Sequence, residues 1–204
     1  MSRSPLEPRL LKLPLVVAGR EQAALRIEDL SGRARCGCKG PEAEGWLRAH
    51  GFSVPAAPNS AAVDPDGVLV ARLASSEFLI EAVSGSGERL ARVRGELGPA
   101  SRPAGVYPVA RQDLVVGLHG PGLQSLLRQI CSVDFVPLFE AAGRDSGPVA
   151  LTSMVGVGVV AWPRRSESGA NLTVWSDPSF AHYLWTTLLE VGRSVGAMVI
   201  GSNS

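Results

Sequence analysis

Three cysteines in 204 residues leave no room for a disulfide framework, since an odd number cannot all pair and no regular spacing links them. Aromatics are sparse at 5% and histidines number three, which limits both stacking platforms and metal-ligand sets. No window approaches the ~18 consecutive apolar residues of a membrane helix. Basic residues are scattered and the net charge is only +1, with Arg164-Arg165 as a local pair. A nucleic-acid or anionic-membrane surface concentrates Lys and Arg into a patch, so neither partner is expected. The opening M-S-R-S-P-L-E-P-R-L-L-K-L-P-L-V-V is broken by prolines and Lys12, unlike a secretory apolar core. A cytoplasmic protein is the expectation.

What is present is glycine and proline in pattern. Residues 113–130, D-L-V-V-G-L-H-G-P-G-L-Q-S-L-L-R-Q-I, read as a short apolar strand, a Gly-Pro turn and a helix. Gly120 is expected to cap that helix, with Pro121 at its first position. Leu123, Leu126, Leu127 and Ile130 then form one apolar face. A second copy stands at 33–48, R-A-R-C-G-C-K-G-P-E-A-E-G-W-L-R, sharing Gly37/Gly117, Gly40/Gly120, Pro41/Pro121, Leu47/Leu127 and Arg48/Arg128 without gaps.

The same order of elements follows each copy. After a helix at about 41–50 and a breaker-rich loop at 53–67, strands at 68–73 and 77–83 form a hairpin, and a helix runs from about 87 to 97. After 113–130 come a loop at 134–148 and one long strand at 149–162. Its Gly156-x-Gly158 is read as close packing or a bulge, because a dinucleotide fingerprint needs a third glycine and a following helix. A strand at 171–175 and a final helix follow, capped by Asp177 with Pro178 next; Phe180, Tyr183, Leu184, Leu188 and Val191 are its expected apolar face. The sequence therefore predicts an α+β protein: a duplicated β-α-β-β-α unit, with mostly antiparallel sheets and helices packed on them. The expected layout is an irregular arm at 1–24, a first half at 25–97, a linker at 98–105, a second half at 106–196 and a frayed tail at 197–204. The halves are expected to share one core with pseudo-twofold symmetry.

Four segments resemble a known family: R-C-G-C-K-G-P-E-A-E-G-W-L with the later P-N-S, V-A-R-L-A-S-S-E-F-L-I-E, G-L-H-G-P-G-L-Q-S-L-L-R-Q-I-C-S-V-D, and V-A-L-T-S-M-V-G-V-G-V-V followed by D-P-S-F-A-H-Y-L-W-T-T-L-L-E. Their order and spacing, from about 35 to 195, resemble the gamma subunits of heterotetrameric sarcosine oxidase, within the folate-dependent aminomethyltransferase (glycine cleavage T-protein-like) group. The resemblance implies an accessory subunit of a complex that oxidises sarcosine to glycine and passes the methyl carbon to tetrahydrofolate. It places FAD, FMN, NAD and tetrahydrofolate in partner subunits, with the large alpha subunit as the main partner, and no cofactor on this chain. Neither the catalytic aspartate nor the folate-gripping motifs of that group find a counterpart in this sequence.

Cys36 and Cys38 share one face of a strand, but Cys131, His50, His119 and His182 complete no ligand spacing, so buried thiols are expected. His119 stands where a general base can sit, yet its counterpart in the first copy is Lys39. Gly40 and Gly120 begin helices that could hold an anion, although Pro41 and Pro121 each remove a donor. No catalytic, cofactor-binding or metal-ligating residue is assigned, and the chain is expected to be a non-catalytic part of an oxidoreductase complex. The leucine-rich arm, Trp162 and Trp175 are the expected partner contacts. The alternatives are a stand-alone folate-binding or one-carbon-transfer protein and an accessory subunit of another methylated-amine oxidase.

Overall fold

The structure, a computed structural model, describes residues 4–6, 23–85, 87–99, 101–167 and 169–200. It divides into two compact units: 33–111 with 145–149, and 112–144 with 150 onward and the stretch before residue 33. Each unit has its own six-stranded sheet and its own apolar cluster.

In the first unit the strands are β2 (Arg35–Lys39), β3 (Ser60–Val63), β4 (Val68–Ala74), β5 (Glu77–Ala82), β6 (Tyr107–Val109) and β8 (Ser146–Pro148), with α1 (Ala43–Ala49) and α2 (Glu88–Glu96). The sheet order is β6-β2-β5-β4-β3-β8, antiparallel throughout. Cys36, Cys38, Val68, Val70, Phe78 and Ile80 pack with Leu47 of α1 and Leu90 and Val93 of α2. The run V-L-V-A-R-L does not alternate because both faces of β4 are buried: Leu69 and Ala71, on the face away from the helices, are fully enclosed too.

The second unit holds β1 (Leu25–Asp29), β7 (Leu114–His119), β9 (Ala150–Met154), β10 (Val157–Ser166), β11 (Gly169–Ser176) and β12 (Ala197–Ile200), with α3 (Leu123–Ile130), α4 (Val136–Ala141) and α5 (Ala181–Arg193). Its order is β12-β1-β7-β11-β10-β9, and β1 with β12 is the parallel pair. Leu114, Val116, Leu118, Leu172 and Val174 alternate onto the face covered by Leu123, Leu126 and Ile130 of α3 and by Leu184, Trp185 and Leu188 of α5.

The duplication read from the two Gly-Pro turns is reproduced bond by bond. Gly40 and Gly120 adopt φ of 126° and 122°. Ala43 N donates to Gly40 O and Leu123 N to Gly120 O, each at 3.1 Å. Two residues past each glycine the chain bonds the residue just ahead of a neighbouring strand: Glu42 N to Gly105 O at 3.2 Å before β6, and Gly122 N to Ala24 O at 2.7 Å before β1. Gly40 N also reaches Ser76 O, as Gly120 N reaches Ala170 O, at 3.0 and 3.5 Å. The prolines are not at the first helical position. They lie inside the turn, and the helices begin at Ala43 and Leu123.

Several sequence expectations are corrected. The halves do not run as 25–97 and 106–196, because the strand ahead of each Gly-Pro motif pairs in the other unit's sheet: β1 joins β7, and β6 joins β2. The loop at 53–67 contains β3, and that at 134–148 contains α4, anchored by buried Phe135 and Phe139, and β8. The strand at 149–162 is a hairpin, with Val155 and Gly156 at φ of 46° and 82° forming its two-residue turn. Residues 197–200 form β12, while 201–204 and most of the 1–24 arm lie outside the described residues. Of the arm, Leu6 is buried in the second unit's cluster and Ser4 Oγ donates to Asp29. Asp177 caps as expected, but over a 3-10 turn, Pro178–Phe180. That turn leaves Ala181, Leu184, Trp185, Leu188 and Gly192 as the inward face of α5, about one residue round from the expected one.

A Cβ at Gly120 would lie 2.7 Å from Ala24 O, on a backbone that disfavours L side chains. Gly120→Val is therefore expected to destabilise by about 1–3 kcal/mol. Gly45, in α1 with open space at its Cβ position, is the control: Gly45→Ala should stabilise by about 0.4–1 kcal/mol. Paired thermal melts check both signs.

Candidate functional site

The strand β2 places Cys36 and Cys38 in the first unit's core, and burial pushes both thiols up to about 12. Such thiols are protonated at neutral pH and do not ligate or attack. Among the described residues no three His, Cys, Asp or Glu side chains converge on a point where a metal could sit.

His119 ends β7 and hydrogen-bonds Asn171 Oδ1 through Nδ1 at 2.6 Å, while Asn171 Nδ2 donates to Ser166 Oγ at 2.6 Å. Its Nε2 lies 3.7 Å from Glu28 Oε2. The ring folds back over Gly117, where a Cβ would stand 2.8 Å from Nε2. That nitrogen is sealed from solvent and has no hydrogen-bond partner among the described residues. A general base must reach the proton it removes, so this geometry makes His119 a brace between β1, β7 and β11 rather than a reacting group. His50 is likewise committed, to Trp46 O and Glu96 Oε2, each at 2.8 Å. His182 is exposed on α5. Asp177 accepts from the hydroxyl and backbone N–H of Ser179, which lowers its pKa below the usual carboxylate value.

Sequence reasoning missed the most buried charges among the described residues. Arg35 of β2 and Glu81 of β5 face each other in register, with Nε–Oε2 at 2.9 Å and both side chains fully enclosed. Arg33 approaches the same carboxylate at 3.4 Å. Their signal was an arginine and a glutamate bordering short apolar runs, Arg35 just before C-G-C and Glu81 just after F-L-I. The pair sits on the sheet face opposite α1 and α2, where a lone charge would cost several kcal/mol.

Trp162 and Trp175, expected as partner contacts, are buried at 0% and 1% exposure. Strand β11 buries six consecutive positions, 171–176, so its Trp175 fills the fold. The exposed large apolar residues are instead Tyr107, Val133, Leu151, Phe180 and Tyr183. A pocket of about 470 Å³ opens beside α3 and α4, lined by Gln124, Leu127, Arg128, Cys131, Val133 and Phe135 among others. Its volume suits a small ligand, but Gln124, Arg128, Ser132 and Asp134 all stand exposed at its rim, and its buried lining is apolar.

No family model matches the sequence, and no curated protein does. Solved structures do. A chain of the heterotetrameric sarcosine oxidase from Corynebacterium sp. U-96, in complex with pyrrole 2-carboxylate, superposes with a TM-score of 0.71 at 24% identity, covering 97% of this chain and 98% of that one. The fold is the aminomethyltransferase-like one. The glycine cleavage system aminomethyltransferase T from Bartonella henselae matches with a TM-score of 0.59 and 15% identity over 88% of this chain, but over only 48% of its own length. The resemblance drawn from the four sequence segments thus holds at the level of the fold, together with the α+β class and its mostly antiparallel sheets.

Two outcomes check the site chemistry. With a thiol reagent at pH 8, the native chain should titrate at Cys131 while Cys36 and Cys38 stay silent, and denaturation should release all three cysteines. Glu81→Leu should destabilise by about 3–5 kcal/mol by stranding Arg35, and the double change Arg35→Met, Glu81→Leu should recover much of that loss in a urea melt.

Proposed function

We propose that this chain is an accessory subunit, of the gamma type, in a complex that oxidises sarcosine to glycine and delivers the methyl carbon to tetrahydrofolate. One observation carries the reading: the end-to-end match, 97% against 98%, to a chain of a heterotetrameric sarcosine oxidase. The aminomethyltransferase, by contrast, is spanned only over about half its length, 48%. A chain that reproduces part of that enzyme's fold is suited to support a catalytic partner.

The side chains agree with this role. His119, His50 and Asp177 are each committed to structural hydrogen bonds, and Cys36 and Cys38 are protonated in the core. In this reading FAD, FMN, NAD and tetrahydrofolate belong to the partner subunits, foremost the large alpha subunit, and the complex is cytoplasmic.

Co-expression with the flavin-bearing subunits of the sarcosine-oxidising complex, followed by size-exclusion chromatography, tests the proposal. Co-elution is expected, with no sarcosine oxidation by the isolated chain. Separate elution at micromolar concentration overturns it. Heat on titrating tetrahydrofolate into the isolated chain would point instead to a stand-alone folate binder.

A further inference from the structure

The accessory reading needs a docking surface; of the expected one, Trp162 and Trp175 are inside the fold, and most of the leucine-rich arm lies outside the described residues. Four sheet edges are available among the described residues. β6 carries Pro108, β8 is the three-residue Ser-Gly-Pro, and β12 is a four-residue edge with every position half-buried. β9 differs. Ala-Leu-Thr-Ser-Met has no proline and no charge, and no described strand pairs with its outer side. Natural edge strands are normally blunted by charge, proline or shortness, because unpaired N–H and C=O groups template another strand.

Exposed apolar side chains gather along the same edge. Leu151, 54% exposed, projects from β9 itself. Tyr183, 51% exposed, donates its hydroxyl to Val155 O at 3.0 Å, immediately after β9, and Phe180 at 49% precedes it by three residues. Cys131 Sγ lies 3.7 Å from Thr152 Oγ1 of β9 and lines the 470 Å³ pocket together with exposed Val133. Among the described residues, four of the five exposed large apolar ones therefore lie on or beside one edge strand.

Resting on the accessory-subunit reading, we infer that β9 is the docking edge: an extended segment of the partner subunit adds to it as a further strand. Main-chain bonds would supply affinity and alternate side chains specificity. Ala150, Thr152 and Met154 point to the helix-covered face, since their cross-strand partners Ala161, Val159 and Val157 belong to that core. An added strand consequently presents every second side chain to the pocket side and the others beside Leu151. A large apolar residue suits the pocket. A second copy of β9 does not, because it would offer Ala150 and Thr152, too small to fill the space, and Met154, fully buried in its own core. The occupant is a foreign segment with bulky apolar residues at alternate positions.

The test uses the full-length chain co-expressed with the flavin-bearing large subunit. In the complex, amides of 150–154 should exchange about tenfold more slowly or better, and Leu151→Lys and Val133→Glu should each weaken association by about tenfold or more. Tyr107→Lys, on the first unit's sheet, should leave it unchanged. If the native chain and Leu151→Lys bind equally and exchange at 150–154 does not change, the docking edge is wrong while the accessory reading stands. If the native chain elutes alone, both fall. A homodimer broken by Leu151→Lys would assign the edge to a second copy and overturn the foreign segment.

Discussion

Each unit hangs on one place where backbone passes backbone too closely for a Cβ. Gly40 approaches Gly105, and Gly120 approaches Ala24. At each, a positive φ turns the chain from strand to helix, and the next N–H groups clamp the neighbouring strand's entry. The helix axis, the strand order and the apolar face that meets the sheet all follow from that clamp. Glycine is required twice over, by the dihedral and by the approach, which explains why it survives in both copies while Lys39 and His119 differ beside it. Gly37 and Gly117 answer a related need, leaving room for Arg111 and for His119 with Leu30.

The polar groups that looked chemical are consumed by this architecture. His119 ties three strands together, Asp177 caps a turn, and Arg35 with Glu81 neutralise each other out of water. A buried pair of that kind contributes little net stability, because desolvation offsets most of the attraction. Its effect is on register: Arg35 opposite Glu81 penalises any one-residue slip of β2 against β5, which would bury both charges apart.

The duplicated turn, the hairpin at Ala74–Glu77 and the α+β class were legible because glycine, proline and apolar period are local signals. What stayed hidden was non-local. β3 lies in a stretch of small and polar residues, and only pairing with β4 and β8 makes it a strand. α4 follows Asp134, whose carboxylate accepts from Val136 N, and its six residues, fewer than two turns, are too short for a periodic signature. The tryptophans were misplaced for another reason: bulk alone does not say whether an aromatic faces a core or a partner. Phe180 was misread because a 3-10 turn rotates the helix that follows it.

The exchange of β1 and β6 between the sheets has a consequence for synthesis. Strand β1 leaves the ribosome early, yet its antiparallel partner is β7, so Ile27 must wait for Leu118. The first unit's sheet is also incomplete until β8 arrives to pair with β3. Neither unit can close while the chain is half made. Closure of each sheet is thereby postponed until its last strand is made, and nascent edges stay open for a long interval. A chain built this way is prone to pair its open edges wrongly before its sheets close, and its yield depends on how soon they do.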